Sequence, residues 1–120
     1  FKAYGEKQTK AVNADDAQVF AAQLTLVYDR FHGGFAASLD RVHAEADGGP
    51  YLLRMRLYEA EQRLAGRSFV RISNGEIVNL KKVQGFDLSF AGTICVSLAN
   101  GTVSYVSRRY VSKIKQLLGL

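Results

Sequence analysis

Apolar and polar residues alternate through the second half of the chain, and that period of two predicts strands. Short runs at Ser68–Ile72, Glu76–Leu80, Val83–Phe86, Thr93–Leu98 and Thr102–Val106 are separated by turn-forming Asn, Gly and Ser. Between the last two, Ala99-Asn100-Gly101-Thr102 is the best short hairpin signal, because Asn-Gly tolerates the positive φ of a type I′ turn. Earlier, Tyr51–Leu57 alternates over its second half, with Leu53, Met55 and Leu57 on one face and Arg54 and Arg56 on the other. The turn sequence Asp47-Gly48-Gly49-Pro50 precedes it, and Phe35–Ala46 alternates loosely before that.

Helical spacing occurs at two places. Tyr58–Leu64 reads as a short helix stopped by Gly66. Val111–Leu118 closes the chain as another, with Val111, Ile114, Leu117 and Leu118 expected inward. The stretch from Asn13 to Phe31 supports two readings. Its alanines, the Asp15/Asp16 pair and an Asn13 cap suit a helix, whereas Val19-Phe20 and Leu24–Tyr28 suit strands. The pattern is that of a mainly β domain with two or three short helices.

Charge sharpens this picture. The net charge is +5 over 120 residues, but residues 1–50 carry five Lys/Arg against seven Asp/Glu, and residues 51–120 carry eleven against four. A basic half joined to a mildly acidic one is an electrostatic footprint for a polyanion. The chemistry of an enzyme has no comparable signal. The two histidines, His32 and His43, and the single Cys95 lack metal-ligand spacing, and Cys95 reads as a small core residue. No serine sits in a nucleophile elbow and no glycine pair forms a phosphate loop. The expectation is a non-enzyme without cofactor, metal or small-molecule substrate. No apolar run approaches the ~18 residues of a membrane span and no leader is visible, so a cytoplasmic location is expected.

Two basic turns remain. Arg71, Ser73 and Asn74 lie at a strand end and on the turn Ser73-Asn74-Gly75, while Arg108 and Arg109 lie where the last strand hands over to the last helix. Arginine can bind guanine O6 and N7 through two hydrogen bonds, and asparagine can do the same to adenine N6 and N7. Lys81, Lys82, Lys113 and Lys115 would add sequence-independent attraction to phosphates. By spacing alone these read more readily as surface cations beside turns.

Three linked motifs shift the balance: Leu57-Tyr58-Glu59-Ala60-Glu61, then Phe69-Val70-Arg71-Ile72-Ser73-Asn74-Gly75-Glu76-Ile77-Val78-Asn79, then Val106-Ser107-Arg108-Arg109-Tyr110-Val111. In order and spacing they resemble the LytTR family of bacterial DNA-binding domains over residues 51–120, with Phe35–Val42 matching the preceding family strand. The resemblance implies an elongated domain of stacked antiparallel sheets over 35–120, with 1–34 an N-terminal segment forming an extra helix or divergent first strands. It implies that loops enter successive major grooves of promoter DNA, with two copies on repeated half-sites. Asn74 and Arg109 would read bases, with Arg41 near a third base contact. Arg71, Ser73 and Arg108 would hold the DNA backbone, joined by Lys81, Lys82 and Lys113. Ala36-Ala37 and Gly75 depart from the family pattern, which bears on the target sequence. For stand-alone members the resemblance also leaves room for a regulatory membrane protein. The rival readings are an RNA- or single-strand-binding β module, for which Tyr105 and Tyr110 are stacking candidates, and a basic protein-interaction domain.

Overall fold

The alternating runs fold into two stacked sheets. A computed structural model describes residues 10–12, 21–30, 41–88 and 92–119. Its elements are β1 (Lys10–Val12), β2 (Leu24–Asp29), β3 (Val42–Ala46), β4 (Gly49–Leu53), α1 (Leu57–Arg63), β5 (Phe69–Ser73), β6 (Glu76–Asn79), β7 (Val83–Leu88), β8 (Ile94–Leu98), β9 (Val103–Val106) and α2 (Val111–Leu118). Single 3-10 turns occupy Ala21–Gln23, Leu80–Lys82 and Arg108–Tyr110. The first sheet has the order β1-β4-β3-β2-β6-β5, and the second β7-β8-β9. All neighbours are antiparallel except the edge pair β1 and β4, which runs parallel.

Each face of the larger sheet has its own core, because side chains alternate across a strand. On one face Val42, Ala44, Tyr51, Leu53 and Ile77 meet Leu57, Ala60 and Leu64 from α1 and its C-terminal turn. The spacing of those three residues is the apolar stripe of an amphipathic helix. Leu64 is fully buried, a burial worth ~1.5–3 kcal/mol for a side chain of this size. The Glu59 carboxylate anchors the start of α1 by accepting the Arg56 N–H at 2.7 Å. On the other face Leu26, Val70, Ile72 and Val78 pack against Ile94, Val96, Leu98 and Val106 of the smaller sheet, and Ile114 of α2 closes the end. The overall extents of 40 × 33 × 28 Å make the domain modestly elongated.

Several expectations change in detail. The Tyr51–Leu57 run is strand only to Leu53, yet Met55 and Leu57 are buried and Arg54 and Arg56 exposed, as alternation predicts. Leu24–Asp29, within the stretch where two readings stood, is an inner strand between β3 and β6; residues 13–20 and 31–40 lie outside the described residues. Asn100-Gly101 does close a hairpin, but only Gly101 has positive φ (91°), so the turn is not type I′. Instead the Asn100 Oδ1 accepts the Thr102 N–H at 3.0 Å. Cys95 is not a core residue. It is half-buried and paired across the sheet with Asp87 and Tyr105, while its neighbours Ile94 and Val96 take the inward positions. In α2 only Ile114 is fully buried, and Leu117 and Leu118, expected inward, are exposed.

Candidate nucleic-acid interface

Strand pairing decides which turns are neighbours. Asp29 at the end of β2 pairs with Val42, and its N–H donates to the Gly75 carbonyl at 2.8 Å. The β5–β6 turn therefore lies beside the end of β2 and the start of β3. The Ser107 N–H donates to the Ile72 carbonyl at 2.8 Å, which brings the exit of β9 to that same end. At the opposite end the β3–β4 turn, the Leu80–Lys82 turn and the β8–β9 loop meet. There Lys82 Nζ pairs with Asp47 Oδ2 at 2.9 Å, and the Ala99 N–H donates to the Lys82 carbonyl at 2.7 Å. Glu45 Oε1 there accepts from Asn100 Nδ2 at 2.6 Å and Thr102 Oγ1 at 2.8 Å.

The first end joins the two basic turns directly. Asn74 Oδ1 accepts from Arg109 Nη1 at 3.2 Å and from the Tyr110 hydroxyl at 3.4 Å, across thirty-five residues of sequence. The Arg109 guanidinium also lies 5.8 Å from the centroid of the Tyr110 ring, within cation–π range. Asn74, Arg108 and Arg109 are exposed, while Tyr110 is half-buried and packs against the inter-sheet core. Beneath them Arg71 reaches back into the turn, where its Nε donates to the Ser73 carbonyl at 2.8 Å and its Nη2 to the Asn74 carbonyl at 2.5 Å. Its Nη1 meets Glu61 Oε1 of α1 at 2.7 Å. Ser73 Oγ accepts the Gly75 N–H at 3.2 Å and donates to Glu76 Oε1 at 3.3 Å, and Glu76 Oε2 takes the Ser104 hydroxyl at 3.3 Å. The turn is thus held from within, and its outward face carries the asparagine amide and two guanidinium groups.

This arrangement gathers Arg71, Ser73, Asn74, Arg108 and Arg109, with exposed Lys113 one helical turn further along. Two expected positions fall elsewhere, and a third is at this end but buried. Lys81 and Lys82 sit at the opposite end of β6, and Lys82 is tied to Asp47. Arg41 lies at the right end but is buried, its side chain 11% exposed with Nη2 3.4 Å from Asp29 Oδ1. A guanidinium largely taken out of water is stabilised by that carboxylate. Tyr110, Glu61 and Glu76 take part in this cluster; all three stand in the sequence motifs, and Tyr110 was a stacking candidate, but sequence reasoning assigned none of them these hydrogen bonds. On the sheet beside Glu76, Tyr28 stacks on His43 at 5.8 Å, and its hydroxyl pKa is raised by burial and by the Glu45 carboxylate, against a lowering by Arg30. Among the described residues no group of three His, Cys, Asp or Glu could hold a metal ion, and no helix is long and apolar enough to cross a membrane.

A family model described as the LytTr DNA-binding domain matches residues 34–119. The chain belongs to the LytTR family. Among solved structures, this LytTR chain is similar to the LytTr DNA-binding domain of a Bacillus cereus protein described as a methyl-accepting/DNA response regulator. The TM-score is 0.68 at 23% identity, over 82% of this chain and 84% of that one. At that identity the likeness speaks for the fold. Sequence relatives include an uncharacterised HTH-type transcriptional regulator of Staphylococcus aureus strain NCTC 8325 / PS 47, 39% identical over 70 residues. Its counterpart in strain MRSA252 is 37% identical over the same length. The match covers 58% of this chain and 47% of those proteins, so it spans about half their length. The LytTR fold itself holds no helix-turn-helix among the described residues, because five strands separate α1 from α2.

Proposed function

We propose that this LytTR domain reads double-stranded DNA by sequence and serves transcription regulation, with Asn74 and Arg109 inserted together into a major groove. The observation that carries the reading is the coupling of these two side chains through Asn74 Oδ1, Arg109 Nη1 and the Tyr110 hydroxyl. An exposed asparagine and arginine on separate turns would each lose side-chain freedom on binding. Mutual hydrogen bonds and the Tyr110 ring restrain them beforehand, which lowers the ordering cost of recognition. The Asn74 amide N–H groups and the remaining guanidinium N–H groups are then free to meet acceptors on base edges, guanine O6 and N7 among them. Arg108 and Lys113 flank the pair and supply phosphate contacts, whose released counterions make affinity depend on salt.

Lys81 and Lys82 take no part in this reading. They lie at the far end of β6 from Asn74, and Lys82 is tied to Asp47. A site this small reads a few base pairs, so two copies on repeated promoter half-sites give the specificity that regulation requires. The function is recruitment or exclusion of the transcription machinery, with no bond made or broken. The test compares Arg109→Ala with wild type on a selected duplex and on a scrambled one. Loss confined to the selected duplex supports the reading, and equal affinities for both duplexes in the wild type overturn it.

A further inference from the structure

Arg71 is cationic and lies beneath the turn that faces DNA in this reading, yet all three of its guanidinium nitrogens are engaged inside the molecule. Nε and Nη2 cap the carbonyls of Ser73 and Asn74, two consecutive peptides of that turn, at 2.8 and 2.5 Å. Nη1 meets the Glu61 carboxylate at 2.7 Å, and the Arg71 side chain is 15% exposed. The local backbone is shaped for this, since the β5–β6 register shifts between Arg71 and Ser73 and turns those carbonyls toward the side chain. Its two remaining N–H groups, one on Nη1 and one on Nη2, belong to a side chain only 15% exposed, and a phosphate held there would lie close to the Glu61 charge.

We propose that Arg71 is a positioning residue that fixes the aim of Asn74, with Glu61 of α1 holding the plane of its guanidinium, and that it is not a phosphate contact. The fork geometry matters because a lysine ammonium is a point charge that cannot span two carbonyls and a carboxylate at once. The proposal rests on the DNA-reading function above and makes a prediction of opposite sign from the alternative. Lysine serves a phosphate well, so a phosphate-binding Arg71 would tolerate Arg71→Lys. Removing Glu61 would then tighten binding to every duplex by deleting a nearby negative charge.

The experiment measures affinity of wild type, Arg71→Lys and Glu61→Ala for a selected duplex and a scrambled duplex across a salt series. Thermal unfolding runs alongside, and alanine at the half-exposed helix position 61 keeps α1 intact. Arg71→Lys is expected to lose about 5- to 100-fold on the selected duplex, the range of one well-aimed base contact. Glu61→Ala is expected to lose affinity in the same direction. Binding to the scrambled duplex and the salt slope are expected to stay at wild-type values for Arg71→Lys. Retained selected-duplex affinity in Arg71→Lys, or tightening on both duplexes in Glu61→Ala, overturns the proposal. A wild type that does not separate the two duplexes overturns the DNA-reading function itself, and this assignment with it.

Discussion

Asn79 and Asn74 stand five residues apart in one motif, and the structure gives them opposite work. Asn74 is exposed on the turn, whereas Asn79 is 1% exposed at the far end of β6. Its Nδ2 donates to the Leu24 carbonyl at 2.7 Å and its Oδ1 accepts the Lys81 N–H at 3.0 Å, with the Ala21 carbonyl at 3.5 Å a marginal third partner. The side chain thus ties the start of β2 to the turn after β6. Asn79→Ala removes both strong bonds. At about 1 kcal/mol net for each, and about 1 kcal/mol or more for a buried group left without its partner, the loss comes to about 2–4 kcal/mol. That is a large share of the ~5–15 kcal/mol by which domains are stable, and it lowers Tm by roughly 10 °C. Asn79→Asp keeps the acceptor for Lys81 but sets a carboxylate against the Leu24 carbonyl. Its deficit should exceed that of alanine at pH 7 and shrink as falling pH protonates the buried acid and restores a donor. Urea unfolding of the three proteins at pH 7 and pH 5 reads both effects. A change under about 0.5 kcal/mol in Asn79→Ala would refute the reasoning.

The remaining predictions concern the opposite end and the sheet between. Asn74→Ala and Arg109→Ala should each cost about 1–3 kcal/mol on a selected duplex, yet leave stability within about 0.5 kcal/mol because both side chains are exposed. The double variant should lose less than the sum, since the two residues share a hydrogen bond; full additivity in a titration cycle would count against the coupled pair. Lys113→Ala should flatten the slope of log affinity against log salt by about one unit, whereas Lys81→Ala should leave it unchanged. Tyr28 has a raised pKa in the folded protein. Its contribution is therefore complete below the unfolded value near 10 and is lost as pH rises through the higher folded value. Denaturation at pH 9 and pH 11 should show a stability decline that Tyr28→Phe diminishes, and an identical decline in that variant would count against it.

Periodicity made most of the fold legible. Val70, Ile72, Ile94, Val96 and Leu98 fall on inward positions of alternating runs, and the structure buries all five. It failed where tertiary placement outweighed local pattern. Leu24–Asp29 is buried on both faces, so it lacks alternation and reads as helix or strand alike. Cys95 looked apolar enough for the core, but its parity in β8 sends it outward. The site was partly legible because Asn74 and Arg109 lie in recognisable motifs. What sequence could not supply was their contact, since hydrogen bonds spanning thirty-five residues depend on how two sheets stack. The same holds for Arg41 and Arg71, which as residue types look like surface cations until Asp29 and Glu61 are seen beside them.

The most direct measurement is selection of bound duplexes from a random DNA pool by this domain at about 150 mM salt, a physiological ionic strength. The account predicts enrichment of a spaced repeat, with enrichment lost when Arg109→Ala replaces the wild type. Weak, salt-sensitive binding with no enriched sequence would contradict it and leave the basic turns as a face for an acidic protein partner.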